Sequence, residues 1–484
     1  MQENINPISP EKLAKMCEKI ERKSQINLDD FWKYGVKRGL RNPDGTGVMA
    51  GLTRICSVEG YYMEDGEKVP KDGVLKYRGV NIKNIINACE KENRFGFEEV
   101  VYLLIFGSLP TKYQLEVFKE TLGVCRELPE AFIEDILMKN ASADIMNKLS
   151  NGILSLYSYD QKPDDTSIEN VLRQSIQIIA QMPVIMCYSY QVRRKFLGKS
   201  MYLHPDKKEL STAETILRSI RSDRKYTDEE AKILDLVLIL HAEHGGGNNS
   251  TFTCRVLSSS GTDSYSVYSA AVGSLKGPKH GGANIRVRHM LDDIIENVED
   301  ITDEKQVEAY LEKIINKEAG DGSGLIYGMG HAVYTISDPR AVILKRKARE
   351  FAYNNGYEKE FELINLIETL TPEIFRKVKG LNKPICANVD LYSGLIFKIL
   401  GIPEDLFTPL FATARIAGWS AHRIEELITG GKIMRPAYKS IALPKRYTPI
   451  DERDENYKQQ DVYVPTEERI FSKEEASYEN QSKQ

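Results

Sequence analysis

Apolar residues recur along most of this chain with helical spacing, and glycine, proline and aspartate interrupt the pattern at short intervals. The stretch from Phe97 to Phe106 (FEEVVYLLIF) is apolar all round and closes on Gly107 and Pro110, which predicts a buried helix. Comparable segments at 112–126, 129–139, 168–190, 210–220, 228–243, 285–298, 304–317, 338–355, 358–379, 390–400 and 406–428 predict an all-α fold. Asp338-Pro339-Arg340 reads as a helix start, since Asp can cap free N–H groups and Pro at the first position forfeits no hydrogen bond. Arg340 is thereby placed in a first turn. Helical spacing also runs from Glu11 to Trp32, until Pro43-Asp44-Gly45-Thr46-Gly47 breaks it. Thr53 to Val58, the turn residues Glu64-Asp65-Gly66, and Val74 to Tyr77 before Gly79 predict a minor, irregular β region. From about Arg446 the chain turns polar and charged with little periodicity, which predicts an extended arm.

Composition narrows the class. A chain of 484 residues, 41% hydrophobic and 28% charged, is that of an ordinary globular protein of two to three domains. Sixty-six Lys and Arg against 70 Asp and Glu leave a net charge of -4, with no global drive towards nucleic acid. Seven scattered cysteines without a Cys-x-x-Cys pair argue against a zinc ribbon or a disulfide scaffold. The acidic first thirty residues fit neither a secretory signal nor a transit peptide, and no stretch is long and apolar enough for a membrane span, so the expected location is cytoplasmic.

All seven histidines fall between His204 and His422, three of them among glycines in HAEHGGGNNS (241–250), GPKHGGAN (277–284) and GMGH (328–331). Taken singly, each motif reads as a helix terminus stopped by glycine. His241, Glu243 and His244 lack the four-residue histidine spacing and the third ligand of a zinc helix, so no metal is expected. No glycine-rich segment matches a nucleotide-binding fingerprint. If His244, His280, His331, Asp390 and several arginines converge, they supply hydrogen-bond donors, one carboxylate base and cationic clamps. That set suits carbon-acid chemistry.

In order and spacing, the series HAEHGGGNNS, GPKHGGANIRV, GMGHAVYTISDPR, ANVDLYSGLIFKILGIP, LFATARIAGW and IMRPAYK resembles the motif series of citrate synthases, over about residues 50 to 445. GVLKYRGVNI and YLLIFGSLPT are similar to the N-terminal part of that family. The resemblance implies a two-domain, helical homodimer without a cofactor, with a large domain from 1–280 and 397–484 and a small one at 281–396. It implies condensation of acetyl-CoA with oxaloacetate and hydrolysis of citryl-CoA, the entry step of the tricarboxylic acid cycle. The nearest alternatives are a 2-methylcitrate synthase using propionyl-CoA and a catalytically silent acyl-CoA-binding relative.

Residue by residue, the resemblance assigns Asp390 as the base for the acetyl methyl group and His280 as the donor to the thioester oxygen. His331 would polarise the oxaloacetate ketone and protonate the alkoxide. Arg340, Arg415 and His244 match the oxaloacetate clamp, and Arg435 an arginine contributed by the partner subunit. Asn248 and Ser250 match supporting positions, Ser250 beside His280. The backbone of Ile326, Tyr327, Gly328 and Met329 matches the CoA contact. Where some family members carry a basic residue for a CoA phosphate this chain has Thr335, and Lys276, Lys279 or Lys345 are the candidate substitutes.

Overall fold

Helix boundaries follow local chemistry closely. Thr111 with Gln114, Ser211 with Glu214 and Thr227 with Glu230 form reciprocal capping boxes, and Asp338 caps the N–H of Arg340 ahead of Pro339. Gly107, Gly356, Gly380 and Gly430 end their helices in the left-handed conformation that a side chain disfavours. The computed structural model describes residues 8–454 apart from 43–44, 66 and 381–383, together with Tyr457 and Gln459. Pro43, Asp44 and Gly66 of the predicted turns, and 460–484 of the predicted arm, lie outside the described residues. Seventeen α-helices and one three-stranded sheet occur among those described.

The chain divides into two units. Met1–Ile433 holds all the α-helices and strands among the described residues. In Met434–Gln484 the described residues are irregular apart from a single turn of 3-10 helix at Ile450–Glu452. The core of the first unit is built on two long helices, Ile168–Phe196 and Phe407–Thr429, which are buried along most of their length and pack on each other. Such helices are apolar on most sides because other helices cover them on most sides. The first outruns the predicted 168–190 because Arg193, Arg194 and Lys195 extend it, cations suited to the negative end of a helix. The predicted helix at 129–139 is a correction: only a π-helical turn at Ile133–Met138 forms, since Ala131 takes a left-handed φ of 59° just after Pro129. No helix among the described residues is long and apolar enough to cross a membrane.

The β region is longer than its apolar alternation predicted. Strands β1 (Cys56–Glu64), β2 (Glu67–Tyr77) and β3 (Val80–Asn81) form an antiparallel sheet in that order, with a register shift between Glu59 and Tyr61. The shifted place is Gly60. A Cβ there would meet Val333 O at 2.5 Å, and one at Gly73 would collide with Ser337 O. Gly73 N–H also donates to Ser337 O at 3.1 Å. The hairpin thus packs backbone to backbone against the 331–340 loop, which only glycine permits, and so fixes the loop that carries His331 and Arg340.

Candidate active site

Six of the predicted residues lie on five separate segments of the first unit. His244 follows the helix Asp228–His241, and His331 and Arg340 frame the loop entering the helix Pro339–Asn355. Asp390 stands in the first turn of Val389–Ile399, and Arg415 lies within Phe407–Thr429. His280 immediately precedes Ala283–Asn297. The rings of His244 and His331 meet edge to face with centroids 5.0 Å apart, and Tyr334 stacks on His331 at 4.6 Å. The charge of Arg415 acts on His244, His280 and Asp390, and that of Arg340 on His244, His331 and Asp390, so the set shares the field of two guanidiniums.

His331 has a defined tautomer. Its Nδ1 accepts the backbone N–H groups of Val333 and Tyr334, both at 3.1 Å, so the ring proton resides on Nε2, the nitrogen not bonded to that backbone. Burial, then Arg340, lower its pKa to about 4, leaving a neutral donor at physiological pH. His280 is lowered to about 4 by burial and then Arg415. Its Nε2 lies 3.1 Å from Ser250 Oγ and 3.4 Å from the Ser250 backbone N–H, a donor only, which leaves Nδ1 to carry the proton. Ser250 Oγ also meets Asn248 Oδ1 at 2.9 Å and accepts from Trp419 Nε1 at 3.3 Å. Ser250 thus touches both His280 and Asn248.

Asp390 is freed from a capping role. Asn388 is the N-cap instead, its Oδ1 accepting Asp390 N–H at 3.0 Å, while its Nδ2 donates to Gly330 O at 2.9 Å. Asn388 thus couples Asp390 to the loop of His331, a link not foreseen although it lies within ANVD. Asp390 is half-buried. Burial raises its pKa to about 6 against the lowering effect of Arg340.

The two arginines differ. Arg340 is tied to Asp338 through Nε (3.1 Å) and Nη2 (2.7 Å), and this pairing outweighs burial to hold it charged. Arg415, fully buried, donates Nε–H to His241 O at 2.7 Å, but Nη1 and Nη2 have no partner among the described residues, and neither has His244 Nε2. Unpaired buried donors of this kind cost several kcal/mol unless an anion meets them, about 2–5 for a charged group. Tyr77, buried, donates its hydroxyl to Ile239 O (3.0 Å) and Glu243 O (3.1 Å) and so staples the turn before His244. Its aromatic side chain at the end of a strand gave no sequence signal for this.

Other predicted positions resolve less sharply. Ile326 is buried and Tyr327 half-buried, and Gly328, with φ of 84°, lies against Leu391. Met329 pairs with Ala387 in an isolated bridge. Thr335 Oγ1 is buried without a partner among the described residues. Lys345 pairs with Glu368 at 2.7 Å and Lys276 with Asp144 at 3.0 Å, while Lys279 is exposed. Arg435 belongs to the second unit and is exposed there. His241 is a core histidine: Nδ1–H donates to Val237 O at 2.8 Å, and no group of three metal-ligating side chains occurs among the described residues.

A family model described as "Citrate synthase, C-terminal domain" matches residues 42–437. A citrate synthase of Synechocystis is 34% identical over 431 residues, 88% of this chain and 93% of that one. A 2-methylcitrate synthase of Shewanella oneidensis is 31% identical over 380 residues, 78% of this chain and 92% of its own. Among solved structures, a citrate synthase of Thermoplasma acidophilum in ternary complex with carboxymethyl coenzyme A and oxaloacetate superposes with a TM-score of 0.68 at 28% identity, covering 84% of this chain and 97% of that chain. A match across most of both sequences, on a helical fold shared with solved citrate synthases, leaves one assignment: this chain belongs to the citrate synthase family.

Proposed function

We propose that a cleft binds oxaloacetate between Arg340, Arg415 and His244, and that Asp390, His280 and His331 carry the condensation with acetyl-CoA. The supporting observation is the buried, unpartnered fork of Arg415 with His244 Nε2, beside a neutral His331 whose ring proton resides on Nε2. A planar fork holds a carboxylate with two parallel bonds, while an imidazole N–H polarises the adjacent ketone. Asp390 removes a proton from the acetyl methyl group, and His280 donates to the thioester oxygen as it gains enolate character. The enolate carbon attacks the ketone, and His331 gives its proton to the new alkoxide. Hydrolysis of citryl-CoA follows in the same cleft. None of these steps calls on a cofactor or metal.

The backbone at Ile326–Met329 serves the CoA moiety. The segment 281–396 acts as a small domain that closes on 1–280 and 397–484, shielding the thioester from water. The enzyme works in the cytoplasm at the entry to the tricarboxylic acid cycle. A thiol-release assay with oxaloacetate and either acyl-CoA tests the reading. Acetyl-CoA should give the higher kcat/KM. One methylene is worth about 1–3 kcal/mol in a pocket, so faster release from propionyl-CoA would make the chain a 2-methylcitrate synthase. No release with either would overturn the proposal.

The active form is a homodimer in which Arg435 completes the partner's cleft, an assignment supported by the IMRPAYK motif and by the exposure of Arg435. Mixed dimers of Arg435→Ala and Asp390→Asn subunits then hold one doubly damaged site and one intact site. Neither parent should turn over well, whereas the exchanged mixture should recover roughly a quarter of the wild-type rate. Absence of recovery, with exchange confirmed by mass spectrometry, would place Arg435 in the site of its own chain or outside it.

A further inference from the structure

Beneath the cleft, a buried carboxylate and a buried guanidinium lie close without pairing. Glu243 precedes His244 and is fully buried; its Oε2, like both Nη atoms of Arg415, lacks a hydrogen-bond partner among the described residues. The two groups act on each other electrostatically. In a buried setting such a pair would ordinarily collapse into contact, as Arg340 and Asp338 have done.

What prevents the collapse is visible on one helix face. Arg415, Gly418 and His422 succeed one another along Phe407–Thr429, one turn apart. Glu243 lies over the middle one, so tightly that a Cβ at Gly418 would collide with its Oε2. Its Oε1 is drawn towards the far residue: His422 Nε2 lies at 3.0 Å and Gly245 N–H donates at 2.5 Å. The direction of the imidazole bond is settled by its other side. Arg255 Nη1, which can only donate, meets His422 Nδ1 at 2.8 Å, so Nδ1 accepts and Nε2–H donates to Glu243. Arg255 is anchored in turn by Glu425 and Glu426, both at 3.0 Å.

We propose that His422, backed by Arg255, is a positioning residue for substrate binding: it holds the Glu243 carboxylate away from Arg415, keeping both terminal nitrogens of that guanidinium available to a carboxylate of the keto acid. Glu243 stays near enough to offset the charge of Arg415 and too far to occupy its fork. The inference rests on the assignment of Arg415 to oxaloacetate binding, so calorimetric binding of oxaloacetate to the wild-type protein comes first. Its failure there would sink that assignment, not this one alone.

Given wild-type binding, His422→Leu removes the restraint and lets Glu243 turn onto Arg415. The dissociation constant for oxaloacetate should rise at least about tenfold, as expected when a charge-assisted contact is lost. Adding Glu243→Gln removes the competitor, and affinity should return to within about threefold of wild type, a coupling that a double-mutant cycle reads directly. A merely structural role for His422 predicts the reverse, since the second substitution would add damage. Arg255→Met, which frees Nδ1 to take the ring proton, should weaken binding in the same direction with the same rescue, and it carries the test if leucine at 422 prevents folding. Unchanged affinity in the single variants, or weakening that Glu243→Gln does not relieve, overturns the proposal.

Discussion

Asp390→Asn should lower turnover by about 10²- to 10⁴-fold, the range associated with a positioned general base, while oxaloacetate affinity measured by calorimetry stays close to wild type. In the proposed mechanism the carboxyl acts on the acyl donor alone, and Arg340 and Arg415 make their hydrogen bonds without it. Near-normal turnover would remove Asp390 from the mechanism. Its pKa of about 6, raised by burial, adds a pH signature. A base must be ionised, so the wild-type rate should fall about tenfold per pH unit below 6. His280 and His331 remain neutral down to about 4 and so leave that limb to Asp390. The same shift sets a stability cost. A carboxyl whose pKa is higher folded than unfolded opposes folding where it must ionise. The cost is absent below the ordinary value of 3.8, grows as pH rises towards 6 and is full above it. Asn at 390 should therefore raise Tm at pH 7, by an amount corresponding to at most about 3 kcal/mol, with little change at pH 4.

Arg415→Met should weaken oxaloacetate binding by about 2–5 kcal/mol, roughly 30- to several-thousand-fold in Kd, without unfolding the protein. Methionine fills similar volume, and removing a buried charge spares its desolvation. Arg415→Lys restores the charge but not the fork, and a buried ammonium cannot span both oxygens of a carboxylate, so it should recover only part of the loss. Comparing the Kd of the two variants with their urea midpoints separates binding from stability. Equal affinity in lysine and wild type would show that charge alone recruits the ligand.

Much of the candidate site was legible because its residues sit in short runs fixed by backbone chemistry. Glycine beside histidine, Asp-Pro at a helix start and Asn two residues before Asp390 each leave a mark in the sequence. What escaped notice depends on packing. The helices Asn249–Ser259 and Ser264–Lys276 went unpredicted since NSTFTCRVLSS and SYSVYSAAVGSLK are rich in small polar residues that favour turns. In the fold those residues let helices approach closely, with Ser250, Thr251 and Ser264 buried and Ser264 Oγ donating to Gln174 Oε1 at 2.6 Å. Likewise, no periodicity could show that His422, 179 positions from Glu243 in the chain, would end up bonded to it.

The stretches 326–331 and 386–390 are joined by Gly330 N–H to Cys386 O at 2.8 Å, Asn388 N–H to Gly328 O at 2.9 Å and the Asn388 amide to Gly330 O. His331 and Asp390 therefore travel as a single block. His280 does not belong to it, being bonded to Ser250 on the helix Asn249–Ser259. Any hinge motion between the two blocks leaves the spacing of Asp390 to His331 untouched and alters that of Asp390 to His280. Arg415 stands on the side of His280, since Trp419 of its helix donates to Ser250 Oγ, so the same motion would part Arg415 from Arg340: the proposed clamp and the proposed enolate site would assemble in one movement.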